Sequence, residues 1–193
     1  MIIKYLKEFL NKNITGRKIS VLFILTNIIY AVMLMITIPN VMSYSGGMML
    51  PDMMPTGYSA DYVNQLMKNL GEKGKDAYLY SQIPLDMIYP FLFAVTYSLL
   101  LAYILIKLGK SEGGLYYFCY VPFFAGLFDY LENAGIIFIL VSYPDNPDVL
   151  TQVTNIFSVL KSSLTTVFFI VFIISVIALV LKLISKKSKA QNS

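Results

Sequence analysis

The chain has 193 residues, of which 57% are apolar and 13% are charged, and its formal net charge is +4 at pH 7. Soluble domains typically carry about 25% charged residues, so this composition excludes an ordinary soluble domain and indicates an integral membrane protein. The absence of His excludes most zinc and haem sites. The single cysteine, Cys119, excludes an intramolecular disulfide and a Cys-x-x-Cys redox pair. No cofactor and no metal site is expected.

The N-terminal half predicts a surface helix, a first span and a polar region. Residues 1–18 are basic, with apolar residues at near-helical spacing, which predicts a short helix on the membrane surface. The apolar run 19–39 is too long for a typical signal-peptide core and predicts an uncleaved first span. Within the polar region 40–82, Ser59 is expected to cap an amphipathic helix that ends at Gly71.

Three further apolar runs predict the remaining spans, at about 83–106, 115–141 and 150–184. Tight turns connect them, and a basic tail follows at 185–193. The predicted fold is therefore all-α, a four-helix bundle forming a single membrane domain over 1–193.

Charge predicts the orientation of this bundle. Eleven of the 15 Lys and Arg residues lie in the N-terminal region, the turn 107–114 and the C-terminal end of the chain, whereas three lie in 40–82. By the positive-inside rule, both termini are expected in the cytoplasm and the amphipathic helix of 40–82 outside, in a multi-pass protein of the cell membrane. The positive charge is thus a topology signal, and no nucleic-acid partner is expected.

Ionisable residues interrupt the second and third spans. Asp129, Glu132 and Asn133 stand at i, i+3 and i+4, so they share one helix face. An unpaired Asp at the centre of a membrane helix costs roughly 2.5–3.5 kcal/mol on insertion scales. Asp86 and Tyr89 mark a similar face on the second span. Because such side chains face the bundle interior, we expect the two faces to meet.

The fourth span carries a polar stripe with Lys161 at its centre. Steps of three and four residues place its members on one face: Thr151, Thr154, Asn155, Ser158, Lys161, Ser162 and Thr165. Three intramembrane acids then face one Lys, so at least one carboxyl is expected to be unpaired and protonated, as in a general acid or a proton carrier.

We therefore expect an outward-facing polar pocket that binds a membrane lipid or another amphipathic small molecule, with acid–base catalysis left open. The candidate catalytic residues are Asp86, Asp129, Glu132 and Lys161. The candidate ligand-binding residues are Tyr89, Asn133, Asn155, Ser158 and Ser162. The helix that starts after Ser59 is the expected lid of this pocket.

Two alternatives stay open at this point. In the first, the chain is a proton- or cation-coupled transporter or channel subunit, with homo-oligomerisation left open. In the second, the Lys and the acids form only a structural ion pair in an assembly protein. Thioethers can bind Cu(I), but with no His or Cys nearby the methionine-rich outer loop is interpreted as an adaptable apolar loop rather than a copper site. Its methionines are Met42, Met48, Met49, Met53 and Met54.

Three motifs resemble those of a group of small prokaryotic four-span membrane proteins. They are Leu-Gly-x-x-Gly-Lys at 70–75, Asp-x-x-Tyr-Pro at 86–90 and Asp-x-x-Glu-Asn at 129–133. This resemblance covers about the middle third of the chain and implies an architecture without an activity. The architecture is also similar to that of four-span sterol isomerases and sigma-2-like proteins, which use membrane-embedded acids; their His and Trp positions have no counterpart here.

Overall fold

The computed structural model describes residues 2–145 and 147–191, which form helices and no strands. The described part contains four helices long and apolar enough to cross a membrane, so the chain has the architecture of a multi-pass membrane protein. They are Gly16–Met42, Ala60–Leu108, Gly114–Ser142 and Asp148–Lys187. The all-α, four-span prediction is confirmed at this level. Of the predicted basic tail, residues 192 and 193 lie outside the described residues.

The N-terminal helix α1 (Ile2–Asn13) is amphipathic and docks on the bundle. Leu10 is fully buried, and the Phe9 ring meets that of Phe123 edge-on, with 6.3 Å between the ring centroids. The predicted helix is therefore present, and its apolar face packs on protein.

The first span consists of α2 (Gly16–Val32), a π turn (Met33–Thr37) and α3 (Ile38–Met42). Few of its side chains are buried, and large apolar ones are exposed around it, as expected of a helix at the edge of a membrane bundle. Thr26 Oγ1 and Thr96 Oγ1 are 2.7 Å apart and fasten this span to the next one.

The polar region contains a 3-10 turn (Pro51–Met53) and α4 (Ala60–Ala77). Ser59 Oγ accepts a hydrogen bond from Tyr62 N at 3.1 Å, which confirms the predicted cap. The helix is kinked at Gly71, where φ is 56°, at the position where the sequence predicts its end. The apolar face of this amphipathic helix is buried: Val63, Leu66, Met67 and Leu70.

A second π turn (Tyr78–Gln82) leads without a loop into α5 (Ile83–Leu108). A 3-10 stretch (Gly114–Tyr120) precedes α6 (Val121–Ser142), and α7 (Asp148–Gln191) ends the described chain. The helices therefore extend beyond most of the predicted span limits.

Helix α5 is at the centre of the bundle. It packs on α2, α6 and α7, and α6 packs extensively on α7, whereas α2 makes no comparable contact with α7. The first and fourth spans are thus separated by a gap. Two apolar clusters fill the bundle. One lies at the end that carries residues 43–82, which we call the loop-side end. The other lies at the end that carries α1, which we call the α1-side end.

Candidate functional site

A cavity of about 430 Å³ lies in the loop-side half of the bundle, and all four spans contribute to its wall. Its polar lining residues are Asp52, Gln82, Asp86, Asp129, Lys161, Ser162, Thr165 and Thr166. Its apolar and aromatic lining residues are Tyr30, Met33, Leu34, Ile38, Met53, Pro55, Tyr89, Phe93 and Ala125. Of the candidates named from the sequence, the cavity wall includes Asp86, Asp129, Lys161, Tyr89 and Ser162.

Lys161 pairs with two carboxylates of α6. Its Nζ donates a hydrogen bond to Asp129 Oδ1 at 3.2 Å and forms an ion pair with Glu132 Oε2 that lacks hydrogen-bond geometry. Glu132 is fully buried, does not line the cavity, and its Oε1 has no hydrogen-bond partner. Two carboxyl groups of one helix face thus contact one ammonium group.

Asp86 stands on α5 with one carboxylate oxygen unpaired. The residue is 4% exposed, and its buried Oδ2 has no hydrogen-bond partner. Asn133 Nδ2 donates to the backbone oxygen of Asp86 at 2.9 Å, and so ties α6 to α5 behind the cavity. Asn133 therefore holds the helix that carries Asp86, and its own side chain does not line the cavity.

Asp52 is an acidic residue of the site that the sequence analysis missed. The 3-10 turn carries it to the cavity wall, where Tyr78 donates a hydrogen bond to its Oδ2 at 3.0 Å and its Oδ1 is buried without a partner. Burial raises its pKa from 3.8 to about 7, and the negative charge of Glu132 adds to this effect. A signal was present in the sequence, since Asp52 follows Leu50 and Pro51 and precedes two methionines in an apolar loop.

The two π turns meet beside the cavity. Thr37, at the end of the first, donates a short hydrogen bond to Gln82 Oε1, at the end of the second. Gln82 is fully buried, lines the cavity, and has no partner for its Nε2. π turns frequently occur at functional sites because they shift the side chains that follow to another face. The sequence analysis also missed Gln82, because no residue pattern in the sequence distinguishes a π turn from an ordinary α-helical turn.

The segment 51–58 covers the loop-side end of the cavity. Asn155 Oδ1 accepts a hydrogen bond from Tyr58 N at 2.8 Å, which ties this segment to α7. A Cβ atom on Gly57 would lie 2.5 Å from Asn155 Oδ1, so the close approach requires glycine. Asn155 therefore holds the loop and, like the buried Ser158, lies outside the cavity wall. The cover consists of this loop rather than α4, which contributes no lining residue.

Aromatic rings form the other end of the cavity. Tyr30 and Tyr89 are stacked with centroids 5.4 Å apart, and Tyr89 is 5.8 Å from Phe93. Phe93 in turn meets Phe168, which is fully buried, at 6.4 Å. Towards the α1-side end, the cavity is thus closed by packed aromatic side chains.

The described residues contain no group of three or more His, Cys, Asp or Glu side chains that could hold a metal ion. Of the five loop methionines, only Met53 lines the cavity. Met48 Sδ accepts a hydrogen bond from Asn69 Nδ2 at 3.2 Å. The wall of the cavity therefore combines titratable side chains with apolar and aromatic ones.

Searches against protein-family models, curated proteins and solved structures found no match.

Proposed function

We propose that this chain is a multi-pass protein of the cell membrane whose cavity binds a lipid-like or amphipathic small molecule from within the bilayer. The observation that supports this most is the gap between α2 and α7. Residues from both sides of this gap line the cavity, among them Tyr30 of α2 and Leu34 of the following π turn on one side, and Ser162 and Thr166 of α7 on the other. Tyr30 and Leu34 are 43% and 42% exposed, which supports a cavity that opens sideways through this gap.

The polarity of the cavity favours an amphipathic occupant. Carboxylates and the Lys161 ammonium line one part of it, while Met33, Leu34 and Ile38 line another. Ligand sites are mostly apolar, with a few polar groups that fix orientation. A molecule with one polar end and an apolar body satisfies both parts of this wall.

The charge pattern supports an orientation with both termini in the cytoplasm and the loop-side end outside. The cavity then lies in the outer half of the membrane, below the loop 51–58. Because that loop covers it, access from the bilayer through the gap is favoured over direct access from outside.

A binding assay with a blocked gap tests this proposal. Ser162→Phe places a ring in the cavity wall, and Val167→Phe, on a side chain of α7 that is 46% exposed, is the matched control. We expect wild type and the control to retain lipid from a membrane extract in native mass spectrometry, and Ser162→Phe to lose it. Wild-type protein without bound lipid, and without a thermal shift in any lipid extract, would refute the proposal.

Proton- or cation-coupled transport is the second candidate, because several carboxyl groups share one cavity with a single lysine. The aromatic closure around Phe93 and Phe168 counts against a continuous path. If the chain is a transporter, purified protein in liposomes should show a proton or cation flux that disappears in Glu132→Gln.

If the chain instead catalyses an acid–base reaction on the bound molecule, Asp129 rather than Glu132 is the member of this pair that can contact it, since Asp129 lines the cavity and Glu132 does not.

A further inference from the structure

The cavity wall holds more acidic groups than the protein pairs with basic ones. Among the described residues, Lys161 is the only basic one that lines the cavity, and its ammonium is already engaged by Asp129 and Glu132. Among the residues that the structure describes, no Lys or Arg forms an ion pair with Asp52 or Asp86. Two carboxyl groups on the wall are thus left without a cation.

The same two groups also lack hydrogen-bond donors. Asp52 Oδ1 and Asp86 Oδ2 are buried, and neither accepts a hydrogen bond. Buried carboxylate oxygens are normally paired, because an unmet acceptor loses its interaction with water and gains nothing in return. A ligand that satisfies them must bring donors, and a positively charged donor also balances the charge.

The surrounding wall fits a cation attached to an apolar chain. Tyr89 stands one helical turn after Asp86 on α5, stacked on Tyr30, and aromatic faces attract ammonium groups. Met33 and Leu34 continue the wall toward the gap between α2 and α7. An anionic head group is disfavoured here, since Lys161, the one basic residue of the wall within the described part of the chain, is already shared by two carboxyl groups.

We propose that the ligand is an amphipathic amine whose protonated nitrogen carries at least one N–H and is held by Asp86 and Asp52. This inference rests on the proposed binding of an amphipathic molecule from the bilayer. Gln82 Nε2, which has no acceptor, can donate a hydrogen bond to a hydroxyl or carbonyl oxygen next to that nitrogen. The apolar chain leaves through the gap.

The test compares four probes with the same decyl chain, measured by calorimetry on the full-length protein in an uncharged detergent at pH 8. They are decylamine, decanol, decanoate and decyltrimethylammonium. We expect decylamine to bind about tenfold or more tightly than decanol, because a charge-assisted hydrogen bond contributes that much. Decyltrimethylammonium, which has no N–H to donate, should bind more weakly than decylamine, and decanoate most weakly.

Substitutions of the two aspartates test where the amine nitrogen binds. Asp86→Asn and Asp52→Asn should each remove most of the preference for decylamine over decanol. Asp61→Asn, on an exposed residue of α4, is the control. Because the probe series on wild type needs no substitution, the inference stays testable if a variant fails to fold.

The outcomes separate the two proposals. If decanol or decyltrimethylammonium binds as tightly as decylamine, or if both Asp variants keep the preference, the amine inference is wrong and binding of an amphipathic molecule stands. If no probe and no extracted lipid binds to wild type, both proposals fail.

Discussion

The two ends of the bundle differ in what they bury. The loop-side end encloses carboxyl and amide groups, several of them with unpaired atoms, around an open cavity. The α1-side end is filled by leucines and aromatic rings, with Leu101, Leu105 and Phe168 fully buried. Packing holds membrane helices together, so the α1-side end shows what stability requires. The buried polar groups of the loop-side end are not needed for such packing, which favours a functional site at that end.

The largest expected effect comes from breaking the ion pair at the loop-side end. Lys161→Met leaves Asp129 and Glu132 facing each other without a cation, and removal of one partner from a buried pair costs about 3–5 kcal/mol. We expect a corresponding loss in the free energy of unfolding, measured by denaturation in mixed micelles. Lys186→Met, at an exposed lysine of the same helix, is the control.

A rescue by two further substitutions tests whether the unbalanced carboxylates cause this loss of stability. Adding Asp129→Asn and Glu132→Gln to Lys161→Met removes the unbalanced charges, so stability should return toward that of wild type. Equal stability of Lys161→Met and its control would show that the pair carries no such energy.

A truncation at the α1-side end should affect stability without affecting the ligand. Leu105→Ala removes a fully buried side chain from the apolar cluster at this end and should cost about 3 kcal/mol. Leu181→Ala, on a side chain that is 62% exposed, is the control and should change little. Loss of ligand binding in the folded Leu105→Ala protein, with stability unchanged, would contradict the division between the two ends.

The pH dependence of stability tests the loop that covers the cavity. Asp52 has a pKa of about 7 in the folded chain and near 3.8 in the unfolded chain, so between these values the folded protein binds more protons. Its contribution to stability is therefore full below about pH 4 and is lost as the pH rises through 7. The groups that act on it are Tyr78, Asp86, Asp129, Glu132 and Lys161.

The measurement is the thermal unfolding temperature of wild type and Asp52→Asn from pH 5 to pH 8. We expect the decline with rising pH to be smaller in Asp52→Asn, and to be unchanged in the control Asp61→Asn. Identical slopes in wild type and Asp52→Asn would show that Asp52 does not titrate in this window.

The smallest effect concerns α4, which contributes no lining residue to the cavity. Ser59→Ala removes the hydrogen bond to Tyr62 N and should cost about 1 kcal/mol. Thr56→Ala, at an exposed residue of the same loop, is the control. Since α4 does not line the cavity, ligand affinity should be unaffected, and a marked loss would assign the lid to α4 after all.

Local sequence signals were sufficient to predict the helices. Apolar runs of membrane length, the cap at Ser59 and the break at Gly71 all depend on residues close in the chain, and each is present in the structure. The faces of Asp86, Asp129 and Lys161 could also be expected to converge, because charged groups avoid lipid.

Other parts of the site depend on contacts between distant residues. Asp52 reaches the cavity because Tyr58 N bonds to Asn155, 97 positions later, and the sequence alone does not indicate that pairing. The same contact explains why Asn155, predicted as a ligand residue, holds the loop instead. The π turns that place Gln82 follow from packing between the first two spans, since Gln82 meets Thr37 there.

The most direct test of the central proposal is an experimental structure of the wild-type protein in lipid nanodiscs with decylamine added. We expect elongated density that starts at Asp86 and leaves the bundle between Tyr30 on α2 and Ser162 on α7. A cavity without ligand density, or density that enters only past Pro55 in the covering loop, would contradict it.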